Sequence, residues 1–337
     1  MASLVPLIDT YRGGTLECRH FGAVAVADTA GRVLARAGDP HWLTFTRSTL
    51  KALQALPFVE GGGPAHFGFS ERQVAMLCAS HSGETMHVQE VQGMLDRAGL
   101  THRVLQCGCH VPMYVDVGVA PAPAPGTWDE RHHNCSGKHA GFVAWCVQHG
   151  QPVESYLEAG HPLQQAIRRG VARAAGLEPD RMKAGTDGCS APNYAMPLSH
   201  LAHAYARLAT GERDPEFGES FALLSRAMTA HPDLVSGTGR NDLAFMQVGR
   251  GDWVAKAGAD GVQVVGSVSR GQALAIKVSD GNKTAVHAAT VEVLDQLGWL
   301  DERQREELRP WRFAEIASVK GATVGERRPA FRLETAP

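Results

Sequence analysis

Apolar residues recur along this chain with two different periods. Near the N-terminus, the run 21–27 and the alternating segment 32–36 flank a turn, which predicts a β-hairpin. Near the C-terminus, short apolar runs at 253–257, 262–268 and 273–278 predict further strands. Strand signals therefore gather at both ends of the chain.

Helical periodicity dominates the middle of the chain. Leucines at helical spacing predict a helix that begins at Thr46 and ends near Pro57. The other predicted helices are 71–99 with a break at 79–84, 138–149, 162–175, 199–209, 217–230 and 282–297. The segment 186–192 instead predicts a structured loop, and the tail after Glu307 is predicted to be extended.

Together these patterns predict an α/β (α+β) protein, with a sheet formed by both chain ends and an inserted helical region. We expect the 337 residues to form one domain of two lobes. The predicted sheet lobe is 1–57 plus 250–337, and the mainly helical lobe is 58–249. The chemistry is expected in the cleft between the layers.

Charge and composition bear on the partners and the compartment. Lys and Arg number 33 against 35 Asp and Glu, so the chain has no basic field for nucleic acid or anionic lipid. No apolar stretch is long enough to span a bilayer, and 1–9 lacks a signal-peptide pattern. We therefore expect a cytoplasmic protein that acts on a small molecule. Its seven cysteines contain no C-x-x-C and are not expected to form a disulfide framework.

Two short runs place a nucleophilic atom three residues before a lysine: Ser48 before Lys51, and Cys135 before Lys138. On a helix, residues i and i+3 share a face. A serine that meets a neutral lysine amine can attack a carbonyl, whereas a cysteine beside a lysine indicates a thiolate or a metal ligand. The combination indicates a hydrolase.

Two further features strengthen this interpretation, because S-x-x-K alone is a common pattern. Lys256-Ala257-Gly258 on a predicted strand resembles the K-T-G element that accompanies S-x-x-K in serine enzymes of the β-lactamase type. Ser80, in the polar break 79–84, offers a second hydroxyl. Lys51 and Lys256 in one cleft would each lower the pKa of the other.

Several blocks of the chain, in order from about residue 20 to 280, resemble the rhizobial-type (class 3) L-asparaginases of the asparaginase II family. They are RSTLK at 47–51 with QALP at 54–57, SHSGE at 80–84, C-G-x-H-x-P at 107–112, NCSGKHAG at 134–141, DGC at 187–189, His231-Pro232 with Arg240, and K-x-G-x-x-G at 256–261. The resemblance implies an amidase that splits L-asparagine into L-aspartate and ammonia. It also implies a fold similar to serine β-lactamases and glutaminases, and a homodimer.

The resemblance assigns roles to individual residues. It implies two catalytic pairs, Ser48 with Lys51 and Ser80 with Lys256. The implied zinc (Zn²⁺) ligands are Cys135, Lys138 and Cys189, with a water completing the site. The expected substrate-binding residues are Arg47, Asn134, His139 and Asp187.

Some of these roles have alternatives. An amine binds zinc only when deprotonated, so Lys138 either ligates or merely lowers the thiol pKa values without a metal. In a third alternative, His132, His133 or His139 takes the third ligand position. Asp187 either binds the substrate ammonium or orients the zinc ligands.

Three other functions compete with an L-asparaginase. A glutaminase or another small-amide amidohydrolase is close, because one methylene in a pocket is often worth only about 1–3 kcal/mol. A β-lactamase-like serine hydrolase would normally carry Ser-x-Asn or Tyr-x-Asn and an export signal, none of which is found here. A non-catalytic binding protein would not need paired nucleophiles and bases.

Overall fold

The computed structural model describes residues 3–313 and 315–335. The strands are β1 (Val5–Arg12), β2 (Thr15–Asp28), β3 (Val33–Ala37), β4 (Leu43–Phe45), β5 (Lys183–Thr186), β6 (Pro192–Pro197), β7 (Trp253–Gly258), β8 (Val262–Ser267), β9 (Gln272–Val278), β10 (Ile316–Ala317), β11 (Thr323–Pro329) and β12 (Glu334–Thr335). The helices are α1 (Lys51–Gln54), α2 (Leu56–Glu60), α3 (Gly63–Phe67), α4 (Glu71–Leu77), α5 (Thr85–Arg97), α6 (Ser136–Gln148), α7 (Pro162–Ala175), α8 (Leu198–Thr210), α9 (Gly218–Ala230), α10 (Pro232–Val235), α11 (Asn241–Gly249), α12 (Lys283–Gln296) and α13 (Glu302–Arg312). Within the described residues, none of these helices has the length and apolar character needed to cross a membrane.

The chain divides into two compact units, of which the first comprises Met1–Thr49, Met196–Ala209 and Val248–Pro337. Its sheet runs in the order β10-β11-β1-β2-β9-β8-β7, with β3 pairing to both β2 and β12. The pairings β1–β2, β2–β9, β8–β9 and β7–β8 are antiparallel. Since β1–β3 precede the helical region and β7–β12 follow it, both chain ends build the sheet. The predicted mixed α/β fold is confirmed.

Close packing explains the composition of the central strands. The run 23–27 of β2 is completely buried, so it consists of small and β-branched apolar residues without polar alternation. At Gly22, a Cβ would lie 2.2 Å from the Lys277 carbonyl oxygen of β9, so only glycine fits there. At Gly266 of β8, a Cβ would lie 2.7 Å from the Tyr205 carbonyl oxygen of α8. Helix α8 therefore packs directly onto this strand.

The second unit comprises Leu50–Ala195 and Thr210–Gln247 and is mainly helical. Helix α6 packs closely against α4, because a Cβ at Gly137 would lie 2.3 Å from the Met76 carbonyl oxygen. The antiparallel pair β5–β6 pairs Thr186 with Pro192, so the chain between the two strands turns back in a short loop, as predicted for 186–192. The start of α6 and the loop between β5 and β6 carry several of the predicted site residues.

The structure differs from the predicted helix between Thr46 and Pro57. The segment consists of a 3-10 helix, Arg47–Leu50, followed by α1 and α2. Pro57 has no backbone N–H and occupies the first turn of α2, where a helix tolerates proline. The proline thus begins a second helix and interrupts the first.

The predicted extended tail after Glu307 is wrong at its start. Helix α13 continues to Arg312 although it contains Pro310. Its last turn is held because the Arg312 guanidinium forms ion pairs with Glu292, at 2.5 Å, and with Asp295, at 2.6 Å, both on α12. These tertiary ion pairs stabilise a helix end that local sequence does not indicate.

Candidate active site

Ser48 lies half-buried in the 3-10 helix of the first unit. The Thr49 hydroxyl donates to the Thr46 carbonyl at 2.6 Å, and the Thr49 carbonyl accepts from the Tyr205 hydroxyl at 2.7 Å. Arg47, immediately before Ser48, has a φ of 51°, in the left-handed region. For a non-glycine residue this backbone costs roughly 1–3 kcal/mol, and it persists only when the surroundings fix it. The serine is therefore presented on a rigid, strained turn.

Strand β7 of the same unit packs against this turn. Gly258 is required there, because a Cβ would lie 2.9 Å from the Thr46 carbonyl oxygen and 3.2 Å from the Arg47 Cβ. The Arg47 guanidinium forms an ion pair with Asp260, just beyond the end of β7. Lys256, on the same strand, is completely buried, and its Nζ donates to the next residue's carbonyl at 3.0 Å. Close packing of β7 against this turn therefore explains the glycine of the K-x-G element.

Lys51 and Ser80 meet in the second unit. Lys51 is 1% exposed, and its Nζ lies 2.6 Å from the Ala79 carbonyl oxygen, 2.9 Å from Ser80 Oγ and 3.2 Å from the Asn134 carbonyl oxygen. Burial lowers the pKa of Lys51. A neutral amine fits these partners, because it can donate its two N–H bonds to the carbonyls and accept the Ser80 hydroxyl proton. The geometry therefore suits a base that takes the proton of the Ser80 hydroxyl or relays a proton through it.

The backbone around Ser80 is fixed on both sides. Its N–H donates to the Val235 carbonyl at 2.8 Å, and its carbonyl accepts from Nη1 of Arg240. The same Nη1 contacts the Ser236 carbonyl at 3.3 Å. The sequence block that contains Arg240 indicated no role for it. The structure shows that its guanidinium holds the carbonyl of the Ser80 residue.

Two cysteines and a lysine form a second polar cluster in this unit. Cys135 precedes α6, Lys138 lies in its first turn, and Cys189 comes from the loop between β5 and β6; all three are buried. Lys138 Nζ lies 3.1 Å from Cys189 Sγ. The hydrogen bond between the two sulfurs lowers the pKa of Cys189 and raises that of Cys135. Of the two sulfurs, Cys189 is therefore the one that loses its proton more readily.

Two opposing effects act on the pKa of Lys138. Burial disfavours the ammonium, yet the negative charge on Cys189 raises the pKa of Lys138 overall. Asp187 acts in the same direction, and its carboxylate accepts from the Gly188 N–H at 2.9 Å. We refer to Cys135, Lys138 and Cys189 together as the sulfur cluster.

The donor set of the sulfur cluster fits a zinc ion. It offers two sulfurs and one amine nitrogen in a buried site, and metal binding would release the protons of Cys135 and Lys138. Across residues 3–313 and 315–335, no three His, Cys, Asp or Glu side chains group closely enough to hold a metal. Lys138 Nζ, 3.1 Å from Cys189 Sγ, is the candidate third donor that lies against a sulfur of the cluster.

Asn134 joins the two clusters. Its carbonyl oxygen accepts from Lys51 Nζ, and its side-chain Oδ1 lies 3.3 Å from Cys135 Sγ. His139, next to Lys138 on α6, is completely buried, and its Nδ1 lies 2.7 Å from the Tyr156 hydroxyl. Nothing in the sequence pattern singled out Tyr156, because a lone tyrosine is most often part of a core.

The predicted site residues are thus divided between the two units. Arg47, Ser48 and Lys256 belong to the first unit. Those of the second unit are Lys51, Ser80, Asn134, Cys135, Lys138, His139, Asp187 and Cys189. Each predicted catalytic pair, Ser48 with Lys51 and Ser80 with Lys256, joins residues of different units, so both pairs stay predictions.

The two neighbouring histidines have other contacts. His133 Nδ1 accepts from the Cys135 N–H at 3.0 Å, and its ring packs against that of His110 at an angle of 57°, with centroids 4.4 Å apart. His132 Nδ1 accepts from the Asp129 N–H at 3.1 Å. Both rings therefore brace the loop that leads into α6.

A buried lysine–serine pair beside a thiolate cluster, in an α/β fold, has the groups of a hydrolase that acts on carbonyl compounds. The L-asparaginase II family model matches residues 8–329, nearly the whole chain. The chain therefore belongs to the L-asparaginase II family and is a hydrolase that acts on amides. Among solved structures it is similar to a protein described as a β-lactamase from Mycobacterium bovis, with 18% identity and a TM-score of 0.42 over 82% of this chain and 94% of that one. No curated protein sequence matched the chain.

Proposed function

We propose that this protein is an L-asparaginase, which hydrolyses L-asparagine to L-aspartate and ammonia. Family membership supports an amide substrate. The observation that carries the proposal is the buried Lys51 amine, 2.9 Å from the Ser80 hydroxyl and with a lowered pKa. An amide carbonyl is a poor electrophile, so a serine that attacks it needs such a base.

In the proposed mechanism, Ser48 Oγ attacks the side-chain carboxamide carbon, and Lys51 takes the hydroxyl proton. Lys51 then passes that proton through Ser80, which is paired with Lys256, to the amide nitrogen, and the C–N bond breaks to release ammonia. This leaves an ester on Ser48, which water hydrolyses to L-aspartate. A resting neutral lysine is essential, and moving its pKa from about 10.4 to near 7 takes roughly 4–5 kcal/mol of differential interaction. The complete burial of the amine supports this shift.

We propose that Cys135, Lys138 and Cys189 hold a zinc ion, for which their donor set is suited. When bound, the ion would supply Lewis acidity near the reacting amide. The chain's own contribution is to bury the three donors and to lower the pKa of Cys189, which favours its thiolate form. Lys138 would then ligate as a neutral amine, having given up its proton.

Four residues are proposed to bind the substrate: Arg47, Asn134, His139 and Asp187. For Asp187 the alternatives are contact with the substrate ammonium and orientation of the sulfur cluster. Its electrostatic effect on Lys138 favours the second. A homodimer and a cytoplasmic location stay predictions from sequence.

The test is ammonia release from L-asparagine and L-glutamine, measured in parallel with the wild type and with Ser48→Ala, Ser80→Ala and Ser220→Ala. We expect the wild type to prefer L-asparagine and the first two variants to lose at least 100-fold in turnover. Ser220 lies on α9, so Ser220→Ala is the matched control and should keep wild-type turnover. An aspartyl adduct on Ser48, trapped by acid quenching and detected by mass spectrometry, would support the covalent step.

Other outcomes point to the competing functions. Faster hydrolysis of L-glutamine than of L-asparagine would indicate a glutaminase. Turnover of a chromogenic cephalosporin would indicate a β-lactamase-like hydrolase. L-Asparagine binding without turnover would indicate a binding protein. Near-normal turnover by Ser48→Ala would refute the nucleophile.

A further inference from the structure

We propose that Asp260 is an intramolecular competitor of the substrate. Its carboxylate occupies the Arg47 guanidinium to which the α-carboxylate of L-asparagine binds, and the substrate displaces it. The inference rests on the proposed function, because it takes Arg47 as a substrate-binding residue. It adds a residue from outside the predicted site that sets the affinity for an amino-acid carboxylate.

The ion pair between Asp260 and Arg47 is the contact that a bound carboxylate would make. The Arg47 guanidinium pairs with the Asp260 carboxylate, and Arg47 belongs to the same short 3-10 turn as the proposed nucleophile Ser48. A guanidinium presents a planar fork of N–H donors that fits any carboxylate, whether it belongs to a side chain or to a ligand. Asp260 and the α-carboxylate of an amino acid are therefore interchangeable partners of Arg47.

The backbone of Asp260 is held in place, whereas its side chain is exposed. Asp260 lies in the turn between β7 and β8 and has a φ of 57°, in the left-handed region. Lys277 Nζ donates to its carbonyl oxygen, and a Cβ at Gly281 would lie 3.2 Å from its Cα. The Asp260 side chain is 68% exposed. Rotation of this side chain therefore releases Arg47 without any change in the turn, because exposed side chains change rotamer rapidly.

The charges around Asp260 favour the exchange of one anion for another. Burial lowers the pKa of Lys277; Asp280 opposes this effect and the charge of Arg47 adds to it. The two basic side chains are thus within electrostatic reach of each other, on either side of Asp260. The Asp280 carboxylate is itself paired with His20 at 2.6 Å. When the Asp260 carboxylate turns away, a ligand carboxylate restores the negative charge beside Arg47.

The exposure of the ion pair limits the size of the effect. Ion pairs at the surface contribute little, because water screens them and both side chains must be ordered. Removal of the competitor should therefore strengthen carboxylate binding by about 2–5-fold. The alternative is that Asp260 orients Arg47 for the substrate, and it predicts the opposite sign, since loss of Asp260 would then weaken binding.

The first test is the steady-state kinetics of Asp260→Asn. This substitution removes the charge and keeps a residue type that tolerates the left-handed conformation, so the turn is preserved. We expect the KM for L-asparagine to fall by about 2–5-fold with kcat unchanged. Glu306→Gln removes the same charge from an exposed position on α13 and should leave KM as in the wild type. An unchanged or raised KM in Asp260→Asn would overturn the proposal.

Calorimetric titration separates competition for the α-carboxylate from a general effect on the fold, and it does not depend on turnover. L-Aspartate should bind Asp260→Asn about 2–5-fold more tightly than the wild type. L-Isoasparagine, whose α-carboxylate is replaced by an uncharged amide, should show no such gain. An equal gain with both ligands, or no gain with L-aspartate, would refute the competition. If the gain is specific to L-aspartate but no amide is hydrolysed, the proposed function fails while this inference stands.

Discussion

Replacing Lys51 by methionine would test the central contact of the proposed site. Methionine has nearly the same length and shape but no amine, so Ser80 Oγ would lose its partner 2.9 Å away. The carbonyls of Ala79 and Asn134 would lose their donors at 2.6 and 3.2 Å. Because the site is buried, the substitution removes a base and takes the amine donor from the Ala79 carbonyl, whereas the Asn134 carbonyl still accepts from the His81 N–H at 3.2 Å.

The two consequences have separable magnitudes. A positioned general base is worth about 10²–10⁴ in rate, or about 2.7–5.4 kcal/mol of barrier, and we expect kcat to fall by that factor. A buried carbonyl that loses its donor costs about 1–3 kcal/mol, so the free energy of unfolding should fall by about that amount. Relief of the desolvated amine offsets part of this cost, which makes the figure an upper bound.

The assays are ammonia release at saturating L-asparagine and urea unfolding, each with Lys183→Met as the control. Lys183 lies in the same unit and is exposed, so its variant should match the wild type in both. Because burial lowers the pKa of Lys51, raising the pH favours the neutral base, and wild-type turnover should rise with pH through that pKa. A folded Lys51→Met variant with near-normal kcat would refute the base.

Three further predictions concern the surroundings of the site. Gly137→Ala should lower the free energy of unfolding by about 1–3 kcal/mol, because its Cβ would meet a backbone carbonyl oxygen at 2.3 Å. The control Gly141→Ala should lower it less, because its Cβ would meet only a leucine methyl, at 2.4 Å. Equal losses of stability in urea unfolding would contradict this prediction. The metal-free protein should lose stability as the pH falls below 6.5, because burial lowers the pKa of His139 to about 4 and of His133 to about 3. The unfolded chain then binds protons that the folded chain does not, at about 1.4 kcal/mol per pH unit for each histidine, and a flat acid limb in urea titrations would exclude it. Arg240→Lys should reduce kcat about 10–100-fold with little change in KM, because it weakens a charged hydrogen bond to the carbonyl of Ser80, a proposed catalytic residue. Steady-state kinetics with an unchanged kcat would rule out this role.

Helix α7 shows what local sequence could predict. Its predicted bounds, 162–175, agree with the structure because both ends carry strong signals. Pro162 occupies the first helical position, and Gly176 ends the helix in the left-handed conformation. By contrast, α13 continues to Arg312 through ion pairs with α12, which no local pattern reports.

The same distinction applies to the candidate site. The short spacing from Cys135 to Lys138 indicated one side of the sulfur cluster, because α6 places both at its beginning. The contact of Lys51 with Ser80 joins residues 29 positions apart, and that of His139 with Tyr156 joins residues 17 apart. Such contacts depend on tertiary packing, so spacing rules could not identify Tyr156 at all.

The position of Asn134 explains why the lysine–serine pair and the sulfur cluster should be treated as one network. Its carbonyl accepts from Lys51 Nζ, while its side-chain oxygen contacts Cys135 Sγ. A change that moves Cys135 therefore displaces an acceptor of the Lys51 amine. Since Gly137 also presses the start of α6 against α4, the backbone that carries Asn134 and Cys135 has little room to adjust. We therefore expect substitutions of Cys135 to change the pKa of Lys51 as well as the proposed binding of zinc.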